Sequence, residues 1–160
     1  MAKVSKVASS AVPPADLYER DYYAWILEQV RALRERRVGD IDWENVAEEI
    51  EDLGKSEKRA VKSQIERLFE HLLKLAYAQG RMRQQNRQGW EVTVEAARSD
   101  VRALLTENPS LRPIVPEILQ GAYLNGRAAA IAAIRVDIPK LSPWTFEKIM
   151  DDAFLPGEPA

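Results

Sequence analysis

Three observations predict an all-α fold, a helical bundle of four main helices plus a short C-terminal one. Residues 42–79 place an apolar side chain every three or four positions over about ten turns. Gly39, Pro109 and Pro139 punctuate the chain between helical patterns. No pair of alternating runs is joined by a hairpin dipeptide, and no segment repeats at the 20–50-residue period of solenoids.

The first helix is expected from Asp16, whose carboxylate can cap free amides together with Glu19 three residues on. Tyr18, Tyr22, Trp25, Ile26, Gln29 and Leu33 follow helical spacing, arginines gather late, and Gly39 marks the end. Asp42 can cap the second helix, whose stripe is Val46, Ile50, Leu53, Val61, Ile65, Leu68, Leu72 and Leu75. Gly54 weakens it by about 1 kcal/mol, so a kink or break is expected there. Residues 80–89 are polar with two glycines and read as a loop. A third helix over residues 90–108 uses Trp90, Val94, Ala97, Val101, Leu104 and Leu105. A fourth opens near Pro113 and runs to about Ile134; its glycines and alanines permit close approach of a neighbour. Ser142-Pro143 reads as the cap and first residue of the last, short helix.

The expected organisation is one helical domain over residues 16–156, with a flexible N-terminal tail at 1–15 and a short tail at 157–160. A chain of 160 residues buries about 70% of its unfolded surface, enough for its own core. A net charge of -2 argues against a general polyanion binder. The absence of cysteine excludes disulfides, thiolate catalysis and cysteine zinc sites, and suits the reducing cytoplasm, the expected compartment. No apolar run approaches the roughly 20 residues that span a bilayer, and residues 1–14 lack the apolar core of a secretory signal. No membrane partner is expected.

The segments DLYERDYYAW (16–25), AEEIEDLGKSEKRAVKSQIERLFEHLLK (47–74), NPSLRP (108–113) and SPWTFEKIMDDAFLP (142–156) together resemble the bacterial domain of unknown function 29 family. The resemblance spans roughly residues 17–156. Leu75 stands where tryptophan is frequent in the family, and Gly89 where serine is. The resemblance implies an all-α bacterial protein and carries over no activity and no catalytic residue.

Four constellations are candidates for a site. Glu57, Gln64 and His71 lie seven residues apart on one side of the long helix, beside its apolar stripe. With an acid from elsewhere, His71 can ligate a divalent metal or act as a general base; the plain alternative is a boundary row satisfied by its neighbours. Glu48, Glu49, Glu51 and Asp52 place carboxylates on successive turns, as Mg²⁺ or Mn²⁺ binding requires, or simply form a solvated face near a helix start. Asp52 and His71 are 19 residues apart, roughly 28 Å on a straight helix, so a shared site needs a break at Gly54 or a partner subunit. Arg81, Arg83 and Arg87 precede Trp90 in a pattern suited to phosphate or a stacked base, or to a solvated loop with Trp90 in the core. Trp25, Trp43, Trp90, Trp144 and Phe154-Leu155 either fill the core or serve surface association.

No phosphate loop, nucleotide fingerprint or triad order stands out, and a single histidine excludes the paired-histidine zinc motif. The expected function is therefore a small helical interaction module without catalytic activity. A protein partner or self-association is expected, with no cofactor. A metal- or small-ligand-binding protein, in the extreme an enzyme using His71, is the first alternative. Nucleic-acid or phosphate binding through residues 81–90 is the second and weaker one.

Overall fold

The computed structural model describes residues 14–157, which form helices and the connections between them and no strand. The tails expected at 1–15 and 157–160 lie outside the described residues, apart from Pro14, Ala15 and Gly157. The helices are α1 (Pro14–Arg20), α2 (Tyr22–Arg34), α3 (Trp43–Tyr77), α4 (Gly80–Glu107), α5 (Val115–Ile134) and α6 (Phe146–Ile149). Short 3₁₀ segments cover Val38–Asp40 and Pro109–Ile114. Four long helices and a short C-terminal one are thus present, as the periodicity predicts.

The departures from expectation each have a local cause. The first helix is two helices, already begun at Pro14. Asp21 leaves helical geometry at φ −151°, ψ 81°, and its carboxylate accepts from the Ala24 amide at 3.0 Å. An aspartate that caps one helix ends the one before it. The second piece stops before Gly39 because Arg36 adopts the left-handed conformation, φ 57°. The amides of Arg36 and Arg37 then return to the carbonyls of Leu33 and Ala32, a Schellman ending with arginine where glycine is usual.

Residues 80–89 are the first turns of α4, not a loop. Arginine, methionine and glutamine are good helix formers, and Gly80 supplies the left-handed turn at φ 57°. The apolar period fails there because the inward-facing side chain is Arg83. Trp90 consequently lies inside a helix rather than at its start. At the other end, Pro109–Ile114 winds as 3₁₀ and α5 begins at Val115, with a proline in its first turn. Thr145, not Ser142, caps α6; the Ser142 hydroxyl accepts from the Trp144 amide in a tight turn. The helix is not broken at Gly54: α3 runs through it from Trp43 to Tyr77.

The residues group into two compact units, one ending at Gly54 and the other beginning at Lys55. In the first, α2 and the start of α3 are antiparallel: Tyr22 bonds to Glu49, and Gln29 to Asp42. Trp25, Gln29 and Ala32 are its buried row on α2.

The second unit holds the larger core. From α3 come Val61, Ile65, Leu68, Phe69 and Leu72, from α4 Val94, Ala97 and Val101, and from α5 Ala122, Tyr123 and Ala130. Burial of each large apolar side chain is worth about 1.5–3 kcal/mol. Phe69 and Tyr123 meet edge to face at 5.2 Å. Gly126 brings α5 against α3: a Cβ there would lie 2.5 Å from the Glu66 carbonyl and 2.9 Å from Phe69 Cβ. The C-terminal stretch is held by Arg98, almost fully buried, which donates to the carbonyls of Ile149 at 2.7 Å and Phe154 at 2.6 Å.

Two glycines therefore have opposite roles. Gly126→Ala is expected to lower unfolding stability by about 1–3 kcal/mol through overpacking. Gly54→Ala, where nothing lies within 4 Å of the added methyl, is expected to raise it by up to about 1 kcal/mol. Urea unfolding of the two variants beside wild type checks both signs.

Candidate functional site

In the first unit, the carboxylates of α3 receive the polar atoms of an aromatic row on α1 and α2. Both oxygens of Glu49 accept phenols, from Tyr18 at 2.7 Å and Tyr22 at 2.5 Å. Asp42 accepts from the Trp25 indole at 3.3 Å and from Asn45 at 2.7 Å, and its own amide donates to Gln29 at 2.8 Å. The rings pack on one another: Tyr18 meets Trp25 edge-on at 4.8 Å, and Tyr22 stacks on Trp25 at 5.9 Å. The hydrogen bond to Glu49 stabilises the neutral phenol, so the Tyr18 pKa is pushed up to about 12, with desolvation adding to it; Tyr22 is raised for the same reasons.

Of the acids the sequence singles out, Glu49 is thus committed to phenols, whereas Glu48, Glu51 and Asp52 are exposed on α3. Among the described residues, no three His, Cys, Asp or Glu side chains form a group able to hold a metal ion.

The outward side of this unit carries many large apolar side chains among its charged ones. Tyr22, Tyr23, Leu27, Val30, Leu33, Val38, Trp43, Ile50 and Leu53 are all exposed. That is nine large hydrophobic side chains on residues 22–53, against five (Met82, Val92, Leu124, Leu141 and Leu155) on the much longer second unit. Ile50 at 63% and Leu53 at 68% relative exposure belong to the apolar stripe that the sequence marks on the long helix, and Trp43, 57% exposed, stands beside them. Burial of that stripe becomes continuous only from Val61.

The Glu57, Gln64 and His71 row has three separate fates. Glu57 accepts from the Asn108 side chain at 3.2 Å. Gln64 lines a cleft of about 330 Å³ between α3 and α5, beside Glu66, Arg67 and Asn125, and its Oε1 is buried with no hydrogen-bond partner. His71 is half-buried, and its Nδ1 donates to the Arg67 carbonyl at 2.9 Å, which leaves Nε2 as the acceptor nitrogen. Desolvation lowers the His71 pKa, partly offset by the Arg67 carbonyl. Of the three, Gln64 alone lines the cleft.

The arginines before Trp90 are also separated. Arg83 is buried and donates to the Leu75 carbonyl, one of the last acceptors of α3. Arg87 pairs with Glu91 at 2.7 Å, and Arg81 is exposed. Trp90 is partly buried against the core.

Sequence reasoning passed over Tyr18, Tyr22 and Arg98 as polar groups with a role. The spacing of Tyr18, Tyr22 and Trp25 signals a common face but not its carboxylate acceptors. Arg98 sits beside Ala97 in the buried stripe of α4, so a base on an apolar face was the available signal.

These features define a helical protein with one well-buried core and one unit that exposes nine large apolar side chains. The chain belongs to the family described as domain of unknown function DUF29, which matches residues 17–155. No curated protein and no solved structure matches it.

Two titrations check the local chemistry. Tyr18 has its folded pKa above the ordinary value of 10.0, so its stabilising contribution is complete below about 10 and is lost as pH rises towards about 12. Thermal unfolding should show that loss in wild type and a smaller one in Tyr18→Phe. His71 is lowered below 6.5, so the neutral ring is favoured and its contribution fades as pH falls through the lower folded value. The imidazole NMR signal of this one histidine should titrate with a midpoint below 6.5.

Proposed function

We propose that this protein is a non-enzymatic helical interaction module that recognises another protein surface through the outward apolar sides of α2 and the start of α3. The concentration of exposed apolar side chains on residues 22–53 carries this reading. Contiguous apolar surface is uncommon on monomers and marks interaction sites. Aromatic residues such as Tyr23 and Trp43 are frequent anchors in interfaces. The cysteine-free sequence suits action in the bacterial cytoplasm.

The arrangement of the polar candidates gives less support to catalysis. A metal site using His71 needs Glu48, Glu49 or Asp52 beside it. These acids stand on the same uninterrupted helix, 19 to 23 residues before it, and Glu49 already serves two phenols.

Leu27→Asp/Ile50→Asp places charge on the exposed sides without touching the buried rows. A pull-down from cell extract with wild type should retain proteins, further copies of the chain included, that the double variant loses, with circular dichroism of the two unchanged. Equal recovery on the two baits would contradict the reading.

A further inference from the structure

We infer that the second unit carries a pocket for a small zwitterion, a free amino acid with a large apolar side chain, at the end of the bundle where α4, α5 and α6 come together. The inference goes beyond the interaction reading and uses none of its residues. A cavity of about 450 Å³ opens there. That volume is in the range of small-ligand sites, with room for about fifteen waters or for an amino acid of aromatic size. Its lining comes from three helices and the connection between two of them. Leu105 lies at the end of α4, Arg112 on the 3₁₀ segment, Val115 and Leu119 on α5, and Phe146 and Glu147 on α6. All of these belong to the unit that begins at Lys55.

The lining is divided by chemistry. Leu105 and Val115 are buried, and Leu119 and Phe146 are half-buried, so the apolar part is deep. Arg112 and Glu147 are exposed, so the charges stand at the mouth. Each charge is held by nearby backbone. Arg112 donates through Nε to the Leu105 carbonyl at 3.2 Å, and its two η nitrogens make no bond to a described residue. Such a planar fork suits a carboxylate. The Glu147 amide and the Thr145 hydroxyl hold the Glu147 carboxyl below the usual carboxylate range, so it is ionised at neutral pH.

Two opposite charges thus line one cavity, and neither forms an ion pair with the other or with another described residue. That arrangement selects among ligands. A simple carboxylate would find Arg112 but meet Glu147 as a like charge, and a simple amine would find Glu147 but meet Arg112. A neutral apolar molecule would use neither. A zwitterion answers both charges at the mouth, and an apolar side chain fills the depth between Leu105, Val115, Leu119 and Phe146. The apolar contacts supply affinity, and the two charges supply selectivity.

Amide NMR of the full, isotope-labelled chain, titrated with phenylalanine, phenylpropionate and phenethylamine, tests this. Phenylalanine is expected to shift the amides of Leu105, Arg112, Val115, Leu119 and Phe146. It should bind about ten-fold tighter than either of the other two, each of which lacks one charged contact. Arg112→Gln should bring phenylalanine down to the affinity of phenethylamine, and Glu147→Gln to that of phenylpropionate. Loss of a structural hydrogen bond alone would not give that crossed pattern. The wild-type series decides by itself if a variant fails to fold. No shift at these amides at millimolar phenylalanine overturns the inference. So do equal affinities for the three ligands, or shifts confined to another part of the chain.

Discussion

The rotation of α2 about its own axis is set by the carboxylates and amides at the start of α3. Glu49 takes two phenols, Asp42 takes an indole, and Gln29 takes the Asp42 amide. These directional bonds fix which row of α2 faces inward, whereas apolar contact alone would allow several rotations. That matters because α2 is apolar on two sides. A helix hydrophobic on both sides normally has a neighbour on each. Once Trp25, Gln29 and Ala32 are turned inward, Tyr23, Leu27 and Val30 can only face out. The polar interactions inside the unit therefore decide which apolar side chains are turned outward.

The second unit follows the opposite plan. Its apolar side chains are turned into one core, and its two most buried arginines are spent on backbone carbonyls rather than on a ligand. Arg83 answers the end of α3, and Arg98 holds the ends of the C-terminal stretch. Burial disfavours the charged form of Arg98, and the nearby Asp152 partly counters it. Buried charges of this kind are tolerated where every donor has a partner. Gly126 removes the side chain where α5 meets α3, so the two backbones approach closely.

The fold class was legible because helical periodicity survives over long stretches, above all from Val61 to Leu75. The close approach of the glycine-rich helix was legible for a similar reason: Gly121, Ala122 and Gly126 leave a shallow helix surface that a neighbouring backbone fills. The start of α4 was not, because its inward position is Arg83, and polar periodicity does not distinguish a helix from a loop. The break at Asp21 was hidden by an apolar pattern that continues across it, and the end of α2 by Arg36 standing where glycine is usual. The acids near residue 50 were visible as a cluster. That one of them serves two tyrosines depends on how a neighbouring helix is rotated, and one helix's sequence does not encode that. The stripe through Ile50 and Leu53 was equally visible, but a stripe says that something apolar belongs against it, not whether that surface lies in the same chain.

The most direct test of this account is amide hydrogen exchange of residues 22–34 in the intact protein, alone and with the proteins it retains from cell extract. If a protein surface covers the outer face of α2, exchange there slows in the complex, while the amides of Val94, Ala97 and Val101 in the closed core exchange at an unchanged rate. If residues 22–34 exchange at the same rate in both, the outward apolar face has no partner upon it, and the account of that surface is wrong.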